Sequence, residues 1–207
     1  MQEKQPVMNQ DNHEYDPALN VFFNVVGSFM SLSPESKNVF AGIMTKRELP
    51  KGTQLLTAGQ VCRHIFYIEK GLARTYYIKD GKDVTDWISV EQTFSVSIVS
   101  FITGKPDIRN IELLEAATIW EIGADDIQHL YDHHHEIERL GRLLVSQGLV
   151  QMQQRFDDLH FSTARERYLN LITMHPTIIQ RAPLGMVASY LGITQETLSR
   201  IRAGLTI

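Results

Sequence analysis

The sequence predicts an α+β chain built in three parts: an N-terminal antiparallel β-roll, one long helix and a C-terminal helix-turn-helix. Three observations carry that expectation. Between Thr45 and Ile122, short apolar runs recur at intervals of about ten residues with glycine turns between them, the pattern of a roll or barrel. From Ile137 to Leu159 an apolar stripe keeps helical spacing without a break for a turn. Near the end, Met186, Val187, Tyr190 and Leu191 repeat at helical spacing, Gly192 interrupts them, and Leu198, Ile201 and Leu205 resume on one face.

In chain order, residues 1–19 are polar with Pro6 and Pro17 and read as a disordered lead-in. Asn20 to Met30 is mostly apolar, and Ser33-Pro34 is a cap followed by proline at the first helical position, so two short helices open the fold. Strands are expected at Arg47–Leu49, Gln54–Thr57 and His64–Ile68. The clearest hairpin pairs Leu72–Ile78 with Val84–Ile88 across Asp80-Gly81, a dipeptide suited to a two-residue turn with positive φ. Strands Ile111–Ala116 and Thr118–Ile122 would close the roll, and a short helix follows Gly123. The parts are therefore a roll at 20–131, a long helix at 132–160 and a helical domain at 161–207.

At about 1.5 Å per residue the long helix spans over 30 Å, more than a small roll needs for its own packing. A self-association seam is the economical explanation. Ile137, Leu140, Leu144, Met152, Phe156 and Leu159 would face a second copy, with Leu143 and Val150 flanking and Gly141 and Gly148 allowing close approach. The next helix, to Met174, stops at His175-Pro176, because the residue before proline is forced out of helical geometry.

Thr194 is a good N-cap for the last helix, with Thr197 an unorthodox partner where a capping box would want Glu or Gln. With the apolar face turned inward, Gln195, Glu196, Ser199, Arg200 and Arg202 face out. Gln suits adenine, Arg suits guanine, Glu accepts from the cytosine amine, and Ser or Thr holds phosphate. Thr194, Gln195, Glu196, Thr197, Ser199, Arg200 and Arg202 are thus candidate contacts to the major groove of double-stranded DNA. An ordinary helical hairpin with a solvated polar face is the alternative.

A chain of 207 residues with 43% hydrophobic content can build a sizeable core without staples. Cys62 is the single cysteine, which excludes a disulfide framework, a cysteine zinc site and a cysteine-bound iron–sulfur cluster. No apolar run is long enough for a membrane span and the first residues are polar, so a cytoplasmic protein without membrane contact is expected. The net charge of −4 is unevenly spread. Residues 162–207 hold Arg165, Arg167, Arg181, Arg200 and Arg202 against Glu166 and Glu196, +3, which leaves −7 on residues 1–161. The positive field sits at the candidate DNA-binding end, modest in one copy and doubled in a dimer.

These features together resemble the Crp/Fnr superfamily, dimeric bacterial regulators with a cyclic-nucleotide-binding β-roll (a double-stranded β-helix), a dimer helix and a winged helix-turn-helix. The carrying residues are Tyr67-Ile68-Glu69-Lys70-Gly71-Leu72-Ala73-Arg74 and Asp80-Gly81-Lys82 in the roll, and Ala188-Ser189-Tyr190-Leu191-Gly192-Ile193-Thr194-Gln195-Glu196-Thr197-Leu198-Ser199-Arg200-Ile201 near the end. The likeness covers residues 20–207 and is greatest to the short Bacteroidetes-type regulators. It implies a homodimeric transcription regulator whose roll is a sensor, with RNA polymerase as a possible further partner.

The departures bear on mechanism. In the family, a Gly-Glu pair holds the cyclic nucleotide's ribose and an Arg-Ser pair its phosphate. Here Ser97 stands at the place of that Glu and Asp107 at the place of that Arg. A carboxylate facing a phosphate repels it, where a bidentate guanidinium would clamp it. Arg109, two residues on, could partly substitute, and Val150 and Gln151 on the long helix would face the same pocket. The resemblance therefore implies a sensor that has lost cyclic AMP and takes another effector, or none. At the DNA end, Gln195 replaces the family's first Arg, Ala203-Gly204 stands where related chains carry two lysines, and the stretch to Ile207 is too short for a wing. A ligand-binding or protein-interaction module with degenerate DNA binding is the competing expectation.

Catalytic and metal chemistry find little support. His133-His134-His135 cannot all face one ion on a helix, and although His129 and His133 are four apart, a solvated helix end explains them. No His-X-His pair of the metalloenzyme kind lies on a predicted strand, and no nucleophile elbow, phosphate loop or dinucleotide fingerprint occurs. Neither a catalytic residue nor a metal ligand is expected. Cys62 would be a redox thiol only if Arg63 lowered its pKa.

Overall fold

A computed structural model describes residues 15–204 of the chain. Helices α1 (Leu19–Gly27) and α2 (Pro34–Gly42) open the fold. Ser33 caps α2 by accepting from the Ser36 amide, and Pro34 occupies the position where its missing N–H costs nothing. Residues 15–19, expected in the lead-in, are packed: Tyr15 meets the Phe23 ring edge-on and Leu19 is 1% exposed. Residues 1–14, and Leu205 beyond the last helix, lie outside the described residues.

Eight strands follow: β1 (Met44–Leu49), β2 (Gln54–Leu56), β3 (His64–Lys70), β4 (Ala73–Lys79), β5 (Lys82–Ser89), β6 (Phe94–Ser95), β7 (Asn110–Leu113) and β8 (Ala117–Gly123). They form two four-stranded antiparallel sheets, ordered β1-β8-β3-β6 and β2-β7-β4-β5. Phe66 and Ile68 of β3, Ile111 and Leu113 of β7 and Ile119 of β8 face the space between the sheets and fill it with Leu56 and Cys62. Positive φ is needed at two of the turns between strands of the roll, those on either side of β4. Asp80 and Gly81 stand at φ 52° and 72° in the β4–β5 turn, and Gly71 (φ 116°) passes so close to Ala117 that any Cβ there would collide with it. Between β6 and β7 lies a short helix α3 (Ile98–Thr103), which hydropathy periodicity does not announce.

Helix α4 (Ala124–His133) leads into α5 (His135–Phe161), a helix of 27 residues. The amide of Ser33 donates to Glu136 at 2.9 Å, tying the start of α5 to α2. Ile137 and Leu140 are completely buried in one cluster with Phe22, Phe40, Tyr67, Trp120 and Leu130, and Leu144 packs against it. This corrects the expected seam. Ile137 and Leu140 are spent on the chain's own core, so no partner can reach them, and the outward apolar face of α5 begins only beyond Leu144.

Four helices end the fold: α6 (Ala164–Met174), α7 (Ile178–Arg181), α8 (Leu184–Tyr190) and α9 (Gln195–Ala203). A reciprocal capping box between Thr163 and Glu166 starts α6. The terminal helices do not form a core of their own. Tyr168, Leu171, Ile178, Val187, Leu191 and Leu198 share one cluster with Leu72, Ile88 and Leu114 of the roll. No helix among the described residues is long and apolar enough to cross a membrane.

Candidate functional site

The α8–α9 pair carries the candidate nucleic-acid face. Gly192 (φ 66°) makes the turn between the helices, and a Cβ there would sit 3.2 Å from the Leu159 side chain. Thr194 caps α9 by accepting from the Thr197 amide at 3.2 Å, and the two threonine hydroxyls lie 3.0 Å apart. Thr194 therefore caps the helix on its own, and the Thr197 hydroxyl meets the Thr194 hydroxyl without closing a reciprocal box. Leu198 is fully buried and Ile201 half-buried, while Gln195, Glu196, Ser199, Arg200 and Arg202 are all exposed and Thr197 lies between. The sequence-predicted contact residues do share one accessible helix face.

Roll and terminal helices are joined by polar contacts as well as by their common core. Arg181 of α7 donates to Glu91 at 2.6 and 2.9 Å and to Glu115 at 2.5 and 3.3 Å. Partial burial works against the charge on Glu91, but the Arg181 hydrogen bonds, the Gly71 amide and the nearby guanidinium outweigh it and bring its pKa down to about 2. The Thr85 amide donates to Ser189 at 2.9 Å, so α8 lies against β5. Arg155 of α5 stacks its guanidinium 3.8 Å from the Tyr190 ring centroid and donates to the Tyr190 carbonyl. Arg167 donates to the carbonyls of Leu191 and Ser162. Arg167 and Arg181 are thus committed inside the molecule, while Arg165, Arg200 and Arg202 are exposed. The outward positive field of the terminal helices is smaller than residue counting implies.

The roll contains a second polar cluster, and it unites three of the predicted pocket residues. Ser97, 2% exposed, donates its hydroxyl to Asp107. The same carboxylate accepts from the Ile108 amide at 2.6 Å and from Arg109 at 3.3 and 3.5 Å. Burial opposes its charge, yet Ser97, the Ile108 amide and Arg109 hold Asp107 below the usual carboxylate range. Arg109 is no spare anion clamp: its Nε binds Asp86 at 2.7 Å. Deeper in, Arg74 is 4% exposed and bound to Glu112 at 2.5 Å and to Asp83 at 2.6 and 2.7 Å. Each guanidinium is matched by two carboxylates of the chain itself. Val150 and Gln151 do not join this cluster. Both are exposed on α5, Val150 at 48%, because the helix turns that stretch outward.

Beyond Leu144, α5 presents Val145, Leu149, Met152, Phe156 and Leu159, all between 39% and 68% exposed. Their spacing alternates four and three residues, the pattern that keeps one seam on one side of a helix. Val145 and Leu149 are the members the sequence reading missed, although that alternation was visible in the chain. Cys62 is 2% exposed and burial pushes its thiol pKa up, so it is no reactive thiolate. Among the described residues, no group of three or more His, Cys, Asp or Glu side chains could hold a metal ion. A cleft of about 260 Å³ lined by Tyr15, Asn38, Lys46 and Trp120 shares no residue with the predicted pocket.

Comparison with known proteins finds a family match for the roll and a shared fold for most of the chain. Residues 46–134 match the cyclic nucleotide-binding domain. No curated protein sequence matches the chain. FixK2 from Bradyrhizobium japonicum superposes with a TM-score of 0.64 at 16% identity, over 79% of this chain and 84% of that one. A Crp/Fnr-family transcriptional regulator from Eubacterium rectale gives a TM-score of 0.63 at 16% identity, over 82% of each chain. The regulator CLP of Xanthomonas campestris, described as responsive to c-di-GMP, gives 0.62 at 14% identity, over 84% of this chain and 91% of that one. Residues 46–134 thus match the cyclic nucleotide-binding domain, within a chain that shares its fold with FixK2 and with a Crp/Fnr-family regulator.

Proposed function

We propose that this protein is a sequence-specific, DNA-binding transcription regulator that acts as a homodimer in the cytoplasm. In this reading α8 and α9 are a helix-turn-helix, the second half of α5 is the dimer seam, and the roll is a regulatory half that does not respond to cyclic AMP. The observation that carries it is the division of α9: Leu198 anchors one face while Gln195, Glu196, Ser199, Arg200 and Arg202 are left accessible on the other. Those side chains can pair with base edges and phosphates in a major groove. One copy exposes too few guanidiniums for a firm hold on phosphate. Two copies joined along α5 would supply twice the charge and set two readers on successive grooves about 34 Å apart.

The regulatory half would act through the common core and the contacts of Arg181, Arg155 and Ser189, since a shift of the roll must move α8 with it. Any signal, whether an unidentified small effector or a partner such as RNA polymerase, must bind one arrangement better than the other. The test is selection of bound duplexes from random DNA by the full chain. Enrichment of a two-fold symmetric site supports the reading, and absence of any enriched sequence supports an interaction module with degenerate DNA binding instead. On the selected site, Arg200→Ala should cost about 1–3 kcal/mol and blur one base position. Unchanged discrimination would remove α9 from the DNA.

A further inference from the structure

We propose that the roll carries its own anion: the Asp107 carboxylate fills the one place in the Ser97–Arg109 cluster where a small anionic ligand could be held, so the roll folds and works without such an effector. The proposal rests on the roll being the regulatory half and specifies how that half is set.

The cradle is built as a site for a carboxylate-sized anion. Three donors converge on it: the Ser97 hydroxyl just before α3 and, from the residues that directly follow Asp107, the Ile108 amide and the Arg109 guanidinium. The Ser97 side is almost completely shielded, and the Asp107 side chain is 9% exposed. Donors placed this way stabilise a negative charge, and leaving the shielded Ser97 hydroxyl without its acceptor would be costly. The backbone supports the arrangement. Gly59 donates to the Asp107 carbonyl at 2.7 Å, and the Asp107 amide donates to Gln60 at 3.2 Å, so the residue is pinned at its main chain as well.

Charge matching closes the place to outside anions. Arg109 is shared between Asp107 and Asp86, and Arg74 between Asp83 and Glu112. A phosphate or carboxylate from solution would meet guanidiniums whose charge is already matched and carboxylates that repel it. The bonded line ends at Asp86, whose Oδ2 accepts from Arg109; Arg155, which holds the Tyr190 end of α8, is not bonded to it. The internal carboxylate therefore closes a short polar line, Ser97–Asp107–Arg109–Asp86, that is complete within the roll.

The experiment is thermal unfolding of the full chain and of Asp107→Ala, in sodium formate against sodium chloride at equal ionic strength, with cyclic AMP as a separate titrant. Formate is the size of the group that the substitution removes. The expected results are a native chain indifferent to both probes, and an Asp107→Ala variant that melts several degrees lower and regains part of that loss saturably in formate. A saturable rise of the native melting temperature with cyclic AMP or formate would overturn the proposal, as would a variant no more responsive to formate than the native chain. Should Asp107→Ala not fold, Asp107→Asn takes its place. It is expected to melt below the native chain, and equal melting temperatures would show that the charge is not needed. None of these measurements involves DNA, so their failure and that of duplex selection are read separately.

Discussion

Helix α5 is one unbroken helix with two different surroundings. Its first three turns bury Ile137 and Leu140 completely among Phe22, Phe40, Tyr67 and Leu130, with Leu144 at the border of that core. Its remaining turns carry side chains just as apolar, yet Val145, Leu149, Met152, Phe156 and Leu159 meet no comparable cover within the chain, although Arg155 and Asp158 on the neighbouring side are tied to the terminal helices and their connections. The first half is stabilised by the roll. The second half leaves an apolar seam in water, which costs free energy unless something covers it, and its four-three spacing is the kind that a second identical helix fits. On the proposed reading, folding and association are written on one helix in consecutive segments.

Substitutions in the two segments should separate those roles. Leu140→Ala empties a fully enclosed site and should lower unfolding stability by about 2–5 kcal/mol, measured by urea titration. That loss should persist at protein concentrations where the chain is monomeric. Phe156→Asp places a charge in the exposed seam and should weaken self-association by at least about thirtyfold, corresponding to a hot-spot loss of about 2 kcal/mol. The intrinsic stability of the single chain should change by no more than about 0.5 kcal/mol. If Phe156→Asp unfolds the monomer, or Leu140→Ala leaves its stability intact, the division of the helix is misplaced.

A smaller effect sharpens the comparison on the side facing the terminal helices. Arg181→Ala should cost about 1–2 kcal/mol, less than fully buried charge-assisted bonds would, because Glu91 and Glu115 are each about one-third exposed. The contribution has a definite pH dependence. Glu91 holds its proton less tightly when folded, with a pKa of about 2 against 4.5, so its stabilisation is present above pH 4.5 and lost as pH falls towards 2. The gap between native and variant stability should accordingly shrink across that window. A constant gap would mean that Arg181 acts through packing alone.

The fold was legible wherever a local rule fixes the backbone. Asp80-Gly81 demanded its turn, Ser33-Pro34 its helix start, and Thr194 its cap, and each of these is a contact between near neighbours in the chain. The outward residues of α9 were legible for the same reason, since the buried Leu198 determines what is left facing out. What covers an apolar face is a different kind of information. Ile137 and Phe156 look alike in sequence, and only the three-dimensional position of α1, α2 and α4 decides that the first is interior. Val150 and Gln151 were misplaced because their expected position was carried over from a register, whereas residues 149–154 of α5 are all exposed. Residue types revealed that Asp107 would disfavour a phosphate. They could not reveal that its carboxylate is itself held by Ser97, Ile108 and Arg109, because those bonds depend on the path of the 104–109 segment.

The account depends most on the exposed half of α5 pairing two chains, because α9 in a single copy presents too little charge and only one reader. Sedimentation equilibrium of the full chain at micromolar concentration, beside Phe156→Asp, tests this directly. A native dimer that becomes a folded monomer on substitution is the predicted result. A native chain that sediments as a monomer, or a dimer that Phe156→Asp leaves undisturbed, would contradict it.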